Sequence, residues 1–183
     1  MSLPADHRIP YGPDASQFGD LWLPLRESQT SIPTPHPLVV FFHGGWWKSA
    51  YDLGHASHLC AAFRRAGIAV WSIEYRRVGF TGGGWPHTFH DATAGLDFVT
   101  KLAKRYPLDP SRVITAGHSA GGHLALWVAG RYHINARSEL FLPRPQVCPS
   151  AASSPSPVPS ISASSSTSPA TPASLTIEKK STT

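Results

Sequence analysis

Three stretches of the sequence predict an α/β fold with a mainly parallel central sheet flanked by helices. Residues 38–42 (LVVFF) form a short, unbroken apolar run, β-branched and aromatic, that stops at two glycines. A strand buried on both faces reads this way. Residues 68–75 (IAVWSIEY) and 111–117 (SRVITAG) repeat the pattern, and a segment with helical spacing follows each of the three. Strand alternating with helix implies parallel pairing through right-handed crossovers.

The first helical segment, 52–66, carries Leu53, Ala56, Leu59, Cys60 and Phe63 on one side, with Asp52 as N-cap and Gly67 as the stop. The second, 88–106, puts Phe89, Ala92, Leu96, Val99, Ala103 and Tyr106 on one face and ends before Pro107. The third, 120–130, is apolar nearly all round, as a helix against the middle of a sheet should be. DLWLP at 20–24 reads as an earlier, antiparallel strand.

Two parts differ in composition. Residues 1–145 mix aromatic, β-branched and charged side chains as a folded domain does, whereas 146–183 are mostly Ser, Pro, Ala and Thr. The second part reads as a low-complexity, disordered tail that cannot build a core. A natural linker normally follows a complete domain; the expectation here is instead that the genuine reading ends near Pro145 and that a shifted frame, a retained intron or a misjoined gene model follows.

The net charge of +5 is modest, and the basic residues are scattered pairs such as Arg64–Arg65 and Arg76–Arg77 rather than a stripe. No nucleic-acid partner is expected. Cys60 and Cys148 match neither a disulfide framework nor a metal spacing, and neither a signal peptide nor a bilayer-length apolar run is present. The expectation is a cytoplasmic protein without membrane contact.

GHSAG at 117–121 fits G-x-S-x-G between a predicted strand and a predicted helix, which is the context that motif requires. A nucleophile at the tip of so tight a turn needs minimal side chains two residues to either side. The turn would aim the Ala120 amide at the charge that develops when Ser119 attacks a carbonyl. HGG at 43–45 follows another predicted central strand, and the amides of Gly44, Gly45 and Trp46 are the candidates for the rest of the oxyanion hole.

With these motifs the chain resembles the α/β-hydrolase superfamily, and within it the esterase and kynurenine-formamidase-like group with an H-G-G-x-W loop. The matching residues are HGGWW (43–47), EYRRVG (74–79), GGGWP (82–86) with Asp91 after it, and GHSAGGHLALW (117–127). The resemblance covers residues 11–145. It implies hydrolysis of a carboxylic ester or aryl formamide through an acyl-serine intermediate, with no metal or organic cofactor. It also suggests a structural role for His43. Trp46, Trp47 and Trp85 are candidates for lining an acyl or aryl pocket, with core packing as the equal alternative for each.

A serine hydroxyl needs a base, and the base needs a carboxylate. In this fold they follow in the order Ser, Asp or Glu, His. Beyond Ser119 the acids are Glu139 and Glu178, and the histidines, His123 and His133, precede both. The order is not met. His43, His87, His90, His118 and His123 are each weighed as a substitute, and none is assigned. The expectation is a chain inactive by itself, with a non-catalytic small-molecule or protein-binding role as the alternative. A strand left without its neighbour implies an exposed sheet edge open to self-association or chaperone binding.

Overall fold

The computed structural model describes residues 4–25, 34–141 and 147. By its contacts the chain divides into two units, residues 1–153 and 154–183, and the second lies outside the described residues. The expected tail, 146–183, therefore lies outside them too, apart from Val147. That residue is 2 % exposed within the main core, and its carbonyl accepts hydrogen bonds from Arg131 (2.9 Å) and Tyr132 (2.6 Å). Packing thus reaches two residues past the boundary that composition suggests.

Five strands form one sheet. In chain order they are β1 (His7–Pro10), β2 (Phe18–Trp22), β3 (His36–Phe42), β4 (Ala69–Ile73) and β5 (Leu108–Gly117), and across the sheet the order is β1-β2-β4-β3-β5. β4, β3 and β5 are parallel, while β1 and β2 are antiparallel additions on one side. The expected α/β class holds. The antiparallel strand expected at 20–24 is β2, and β1 escapes the sequence reading because HRIP is short and lacks alternation.

β3 explains why its run is apolar throughout. Leu38, Val40 and Phe42 face one core with Trp71 and Ile73 of β4, while Val39 and Phe41 face a second core with Trp22 and Val70. Helices cover both faces. α1 (Ser57–Arg65) brings Cys60 and Ala61 to the second core. Ala92 and Leu96 of α2 (His87–Asp97), Val99 and Leu102 of α3 (Val99–Leu102), and Leu124 and Val128 of α4 (Ala120–Gly130) close the first.

Two expected helices are subdivided. Residues 52–66 open with a 3₁₀ turn (Leu53–Ala56), where Asp52 accepts from the Gly54 amide at 2.8 Å, before α1 begins; Gly67 ends it at φ 79°. The expected 88–106 helix breaks at Phe98, where the Thr100 hydroxyl donates to the Asp97 carbonyl at 2.9 Å and so competes for a helix acceptor.

Among the described residues β5 is one edge of the sheet and β1 the other. Ile114, which pairs with Val39, is half exposed. Among the described residues no helix is long and apolar enough to cross a membrane.

Candidate active site

β3 and β5 are parallel neighbours with Phe42 opposite Gly117, so the loops leaving their carboxyl ends meet. Ligands of open α/β sheets bind at such a place.

The first loop is the turn from β5 into α4. Ser119 sits at φ 53°, ψ −120°, a conformation that L-residues avoid. A Cβ on Gly117 would collide with the Gly121 carbonyl, and one on Gly121 would collide with the carbonyl oxygens of Phe42 and His43. Both glycines are therefore required by backbone-on-backbone contact. The His118 amide donates to Phe42 (3.3 Å) and the Gly121 amide to His118 (2.9 Å), which locks the turn to the end of β3. Ala120 is the first residue of α4, so its amide has no intrahelical acceptor, and the positive end of the helix dipole lies here.

The second loop, 43–48, faces the first. A Cβ on Gly44 would lie 2.7 Å from the His118 carbonyl oxygen and 3.3 Å from the Ser119 Cβ. Gly45 takes φ 119° against Tyr51. Trp46 and Trp47 follow at φ 56° and 55°, and the Lys48 amide closes the turn on the Gly45 carbonyl at 2.9 Å. Bulky residues in the left-handed region are true outliers. Hydrogen bonds from Ser49 to Val78 (2.9 Å) and from Val78 to Trp47 (2.8 Å) hold them there. None of the amides of Gly44, Gly45, Trp46 and Ala120 donates to a protein acceptor among the described residues.

His43 anchors this loop from below. It is fully buried, with Nε2 2.8 Å from Glu74 Oε1 and Nδ1 2.7 Å from the Gly44 carbonyl oxygen. Its ring stacks on Tyr75 at 4.5 Å, and the Tyr75 hydroxyl donates to the His43 carbonyl at 2.7 Å. Burial pushes that phenol well above its ordinary pKa. Glu74 also accepts from the amides of Tyr75 (2.9 Å) and Leu53 (3.2 Å) and pairs with Arg77 at 3.0 Å. Asp91 does similar work one loop away: it grips Arg76 with both oxygens (2.7 and 2.8 Å), accepts from Gln17 (2.7 Å), and so fixes the chain leaving β4.

Between the loops lies a cavity of about 310 Å³ bordered by Gly45, Trp46, Tyr51, His55, His118 and Ser119. Larger hollows, of about 410 Å³ beside Cys60 and Ser72 and about 560 Å³ beside Tyr11 and His90, do not reach Ser119. The structure thus brings together Ser119, Gly44, Gly45, Trp46 and Ala120. It does not bring Trp47 or Trp85 to this cavity. Trp47 meets the His123 ring edge-on at 5.5 Å and rests on the core; Trp85 meets Phe89 at 5.2 Å and donates its indole N–H to Glu139. Core packing describes Trp47, whereas Trp85 is largely exposed and fits neither expectation.

Tyr51, His55 and the anchoring role of Glu74 are absent from the sequence reading. Glu74 left a signal: a carboxylate at the end of a strand otherwise buried on both faces needs a partner. His55 left none, because its place beside Ser119 depends on how the 3₁₀ turn packs. Its Nδ1 is 2.7 Å from the Asp52 carbonyl oxygen. His123 is held edge-on by Trp47 and Phe89, and His90 Nε2 is 3.1 Å from the Glu139 carbonyl oxygen. Among the described residues no histidine is hydrogen-bonded to the Ser119 hydroxyl, and no group of three or more His, Cys, Asp or Glu is placed to hold a metal ion.

Comparison with known proteins agrees with this geometry. The chain is 33 % identical over 117 residues to a probable isoprenylcysteine α-carbonyl methylesterase, ICMEL1, of Arabidopsis thaliana, covering 64 % of this chain and 23 % of that protein. It is 34 % identical over 91 residues to neutral cholesterol ester hydrolase 1 of Pongo abelii, covering 48 % and 22 %. Among solved structures, apo esterase 2 of Thermogutta terrifontis superposes with a TM-score of 0.63 at 22 % identity, over 79 % of this chain and 51 % of that one. The chain therefore spans about a quarter of the length of these curated relatives and about half of the esterase. The BD-FAE family model matches residues 20–145. With that match across most of its length, the chain belongs to the BD-FAE family, and it shares the α/β fold of the Thermogutta terrifontis esterase.

Proposed function

We propose that this site is the acyl-transfer half of a serine hydrolase acting on small carboxylic esters, with aryl formamides as the finer alternative within the same chemistry. Ser119 is the nucleophile, and the amides of Gly45, Trp46 and Ala120, with Gly44 permitting the close approach, are the oxyanion cradle. One observation carries the reading. A strained serine at a helix N-terminus shares a cavity with the Gly45–Trp46 turn, whose amides have no protein acceptor among the described residues. Donors left open beside a nucleophile are what a developing alkoxide needs.

The chain as 183 residues is slow in this reading, because no base is hydrogen-bonded to Ser119 among the described residues. Losing the base of a triad that acts as a unit costs on the order of a million-fold in turnover. Purified protein is expected to release no p-nitrophenol from p-nitrophenyl acetate above buffer, and Ser119→Ala is expected to change nothing. A burst that Ser119→Ala abolishes would overturn this. The same absence of a base favours the second reading, a ligand-binding role for the cavity. A fluorophosphonate probe separates the two: labelling at Ser119 supports an activated nucleophile, and a folded, unlabelled chain supports binding. Self-association through the β5 edge belongs to the same reading. Sedimentation velocity showing a monomer at every concentration would remove it.

A further inference from the structure

We infer that His43 is a buried imidazolium, and that its proton on Nδ1 sets the direction in which the Gly45 amide points. The inference rests on the oxyanion-cradle reading above.

It follows from counting donors and acceptors. Glu74 receives hydrogen bonds from the amides of Tyr75 (2.9 Å) and Leu53 (3.2 Å) and from the Arg77 guanidinium (3.0 Å), so it is a carboxylate and has no proton to give. His43 Nε2, 2.8 Å from Glu74 Oε1, is then the donor. On the opposite side Nδ1 is 2.7 Å from the Gly44 carbonyl oxygen, which can only accept. A neutral imidazole has one N–H; this ring faces an acceptor at each nitrogen and needs two.

The charged groups in the buried cluster with the ring are Glu74 and Arg77, both nearly fully buried. The other neighbours are the Tyr75 ring, which stacks on it, and the His55 ring, edge-on at 5.9 Å. Arg8, Asp20 and Asp52 line the hollow beyond Glu74, so the wider set of charges is balanced, and the charge nearest the loop is the imidazolium itself. Its positive sign favours a developing oxyanion above it.

The effect on geometry follows from the planar trans peptide, in which C=O and N–H point in opposite directions. Holding the Gly44 carbonyl down on His43 Nδ1 turns the Gly45 N–H of the same peptide up, to the side where the cavity borders Gly45 and Ser119. At φ 119° Gly45 has little steric preference of its own, so the peptide needs this tether. His43 and Glu74 are positioning residues, since neither borders the cavity.

The test uses the full ¹⁵N-labelled chain. Long-range ¹H–¹⁵N correlation at neutral pH is expected to find both ring nitrogens of His43 protonated, assigned by the loss of the pair in His43→Gln. A bare ring nitrogen overturns the inference and requires no variant to see. Butyrate, whose carboxylate presents an anionic oxygen, is then titrated while the Gly45 amide is followed. Glu74→Gln keeps the shape and removes the charge; it is expected to weaken butyrate about tenfold and to take one proton from the His43 ring, with far-UV circular dichroism unchanged. Wild-type affinity in Glu74→Gln overturns the positioning role. If wild-type protein does not bind butyrate while His43 is doubly protonated, the cradle reading and the positioning role both fall, and the imidazolium stands.

Discussion

The two turns that face each other across the cavity both hold residues at positive φ, but by different means. At 117–121 the flanking glycines contact backbone so closely that no side chain fits, and the strained Ser119 is clamped between them. At 43–48 two tryptophans adopt the same left-handed region without glycine's freedom. They stay there through long-range bonds, from Val78 to Trp47 and from Ser49 to Val78, with Glu74 fixing His43 at the root. The first turn is enforced by backbone sterics, local at Gly117 and against the end of β3 at Gly121. The second is enforced by long-range hydrogen bonds and side-chain contacts, which mutations elsewhere can loosen, whereas the first also leans on the end of β3, but through backbone carbonyls that no side-chain change removes.

Breaking the first turn should have the largest effect. Gly121→Ala puts a methyl group onto the Phe42 and His43 carbonyls, where nothing flexible can yield, and is expected to destabilise the chain by about 3 kcal/mol or more in urea unfolding. A cost below about 1 kcal/mol would mean that the elbow is not rigid. Ser119→Gly should act in the opposite direction: relief of the strained φ 53°, ψ −120° is expected to add about 1–2 kcal/mol, which Ser119→Ala should not reproduce.

The second turn is sharpened by a paired test. Trp46 is 71 % exposed, so Trp46→Gly loses little packing, relieves its φ, and is expected to stabilise by up to about 1 kcal/mol. Trp47 has a similar φ but rests on the core and on His123, so Trp47→Gly is expected to destabilise by about 2 kcal/mol. Equal effects at the two positions would show that strain, not tertiary contact, dominates the loop.

The smallest effect concerns the second core. Burial pushes the Cys60 thiol from its ordinary 9.0 up to about 11. The fold favours the neutral thiol, so this contribution is complete below pH 9 and is lost as pH rises from there towards about 11. In a Cys148→Ser background, iodoacetamide is expected to leave Cys60 unmodified at pH 8 while the chain is folded and to modify it in urea. Rapid alkylation of the folded protein would mean that α1 does not cover this face.

The sequence was a good guide wherever local chemistry is decisive. Periodicity located β3, β4, β5 and α4 because a strand buried on both faces and a helix against a sheet leave unambiguous apolar patterns. The spacing of Gly117, Ser119 and Gly121 located the elbow because the motif is contiguous, and the clash that demands Gly117 spans only five residues; the one that demands Gly121 comes from the end of β3. Tryptophan was less readable. Trp46 borders the cavity, Trp47 does not, and adjacent identical side chains carry no information about which way a strained turn will send them.

By itself the sequence determined the α/β alternation, the position of the nucleophile and the need for glycine at 117, since these follow from contacts among near neighbours. Only the tertiary structure decided that Glu74 and His43 join thirty-one residues apart, that His55 and Tyr51 border the same cavity as Ser119, and that Trp47 turns away from it. Those pairings depend on the order β4-β3-β5 across the sheet, which brings distant loops to one edge, and no local pattern encodes that order.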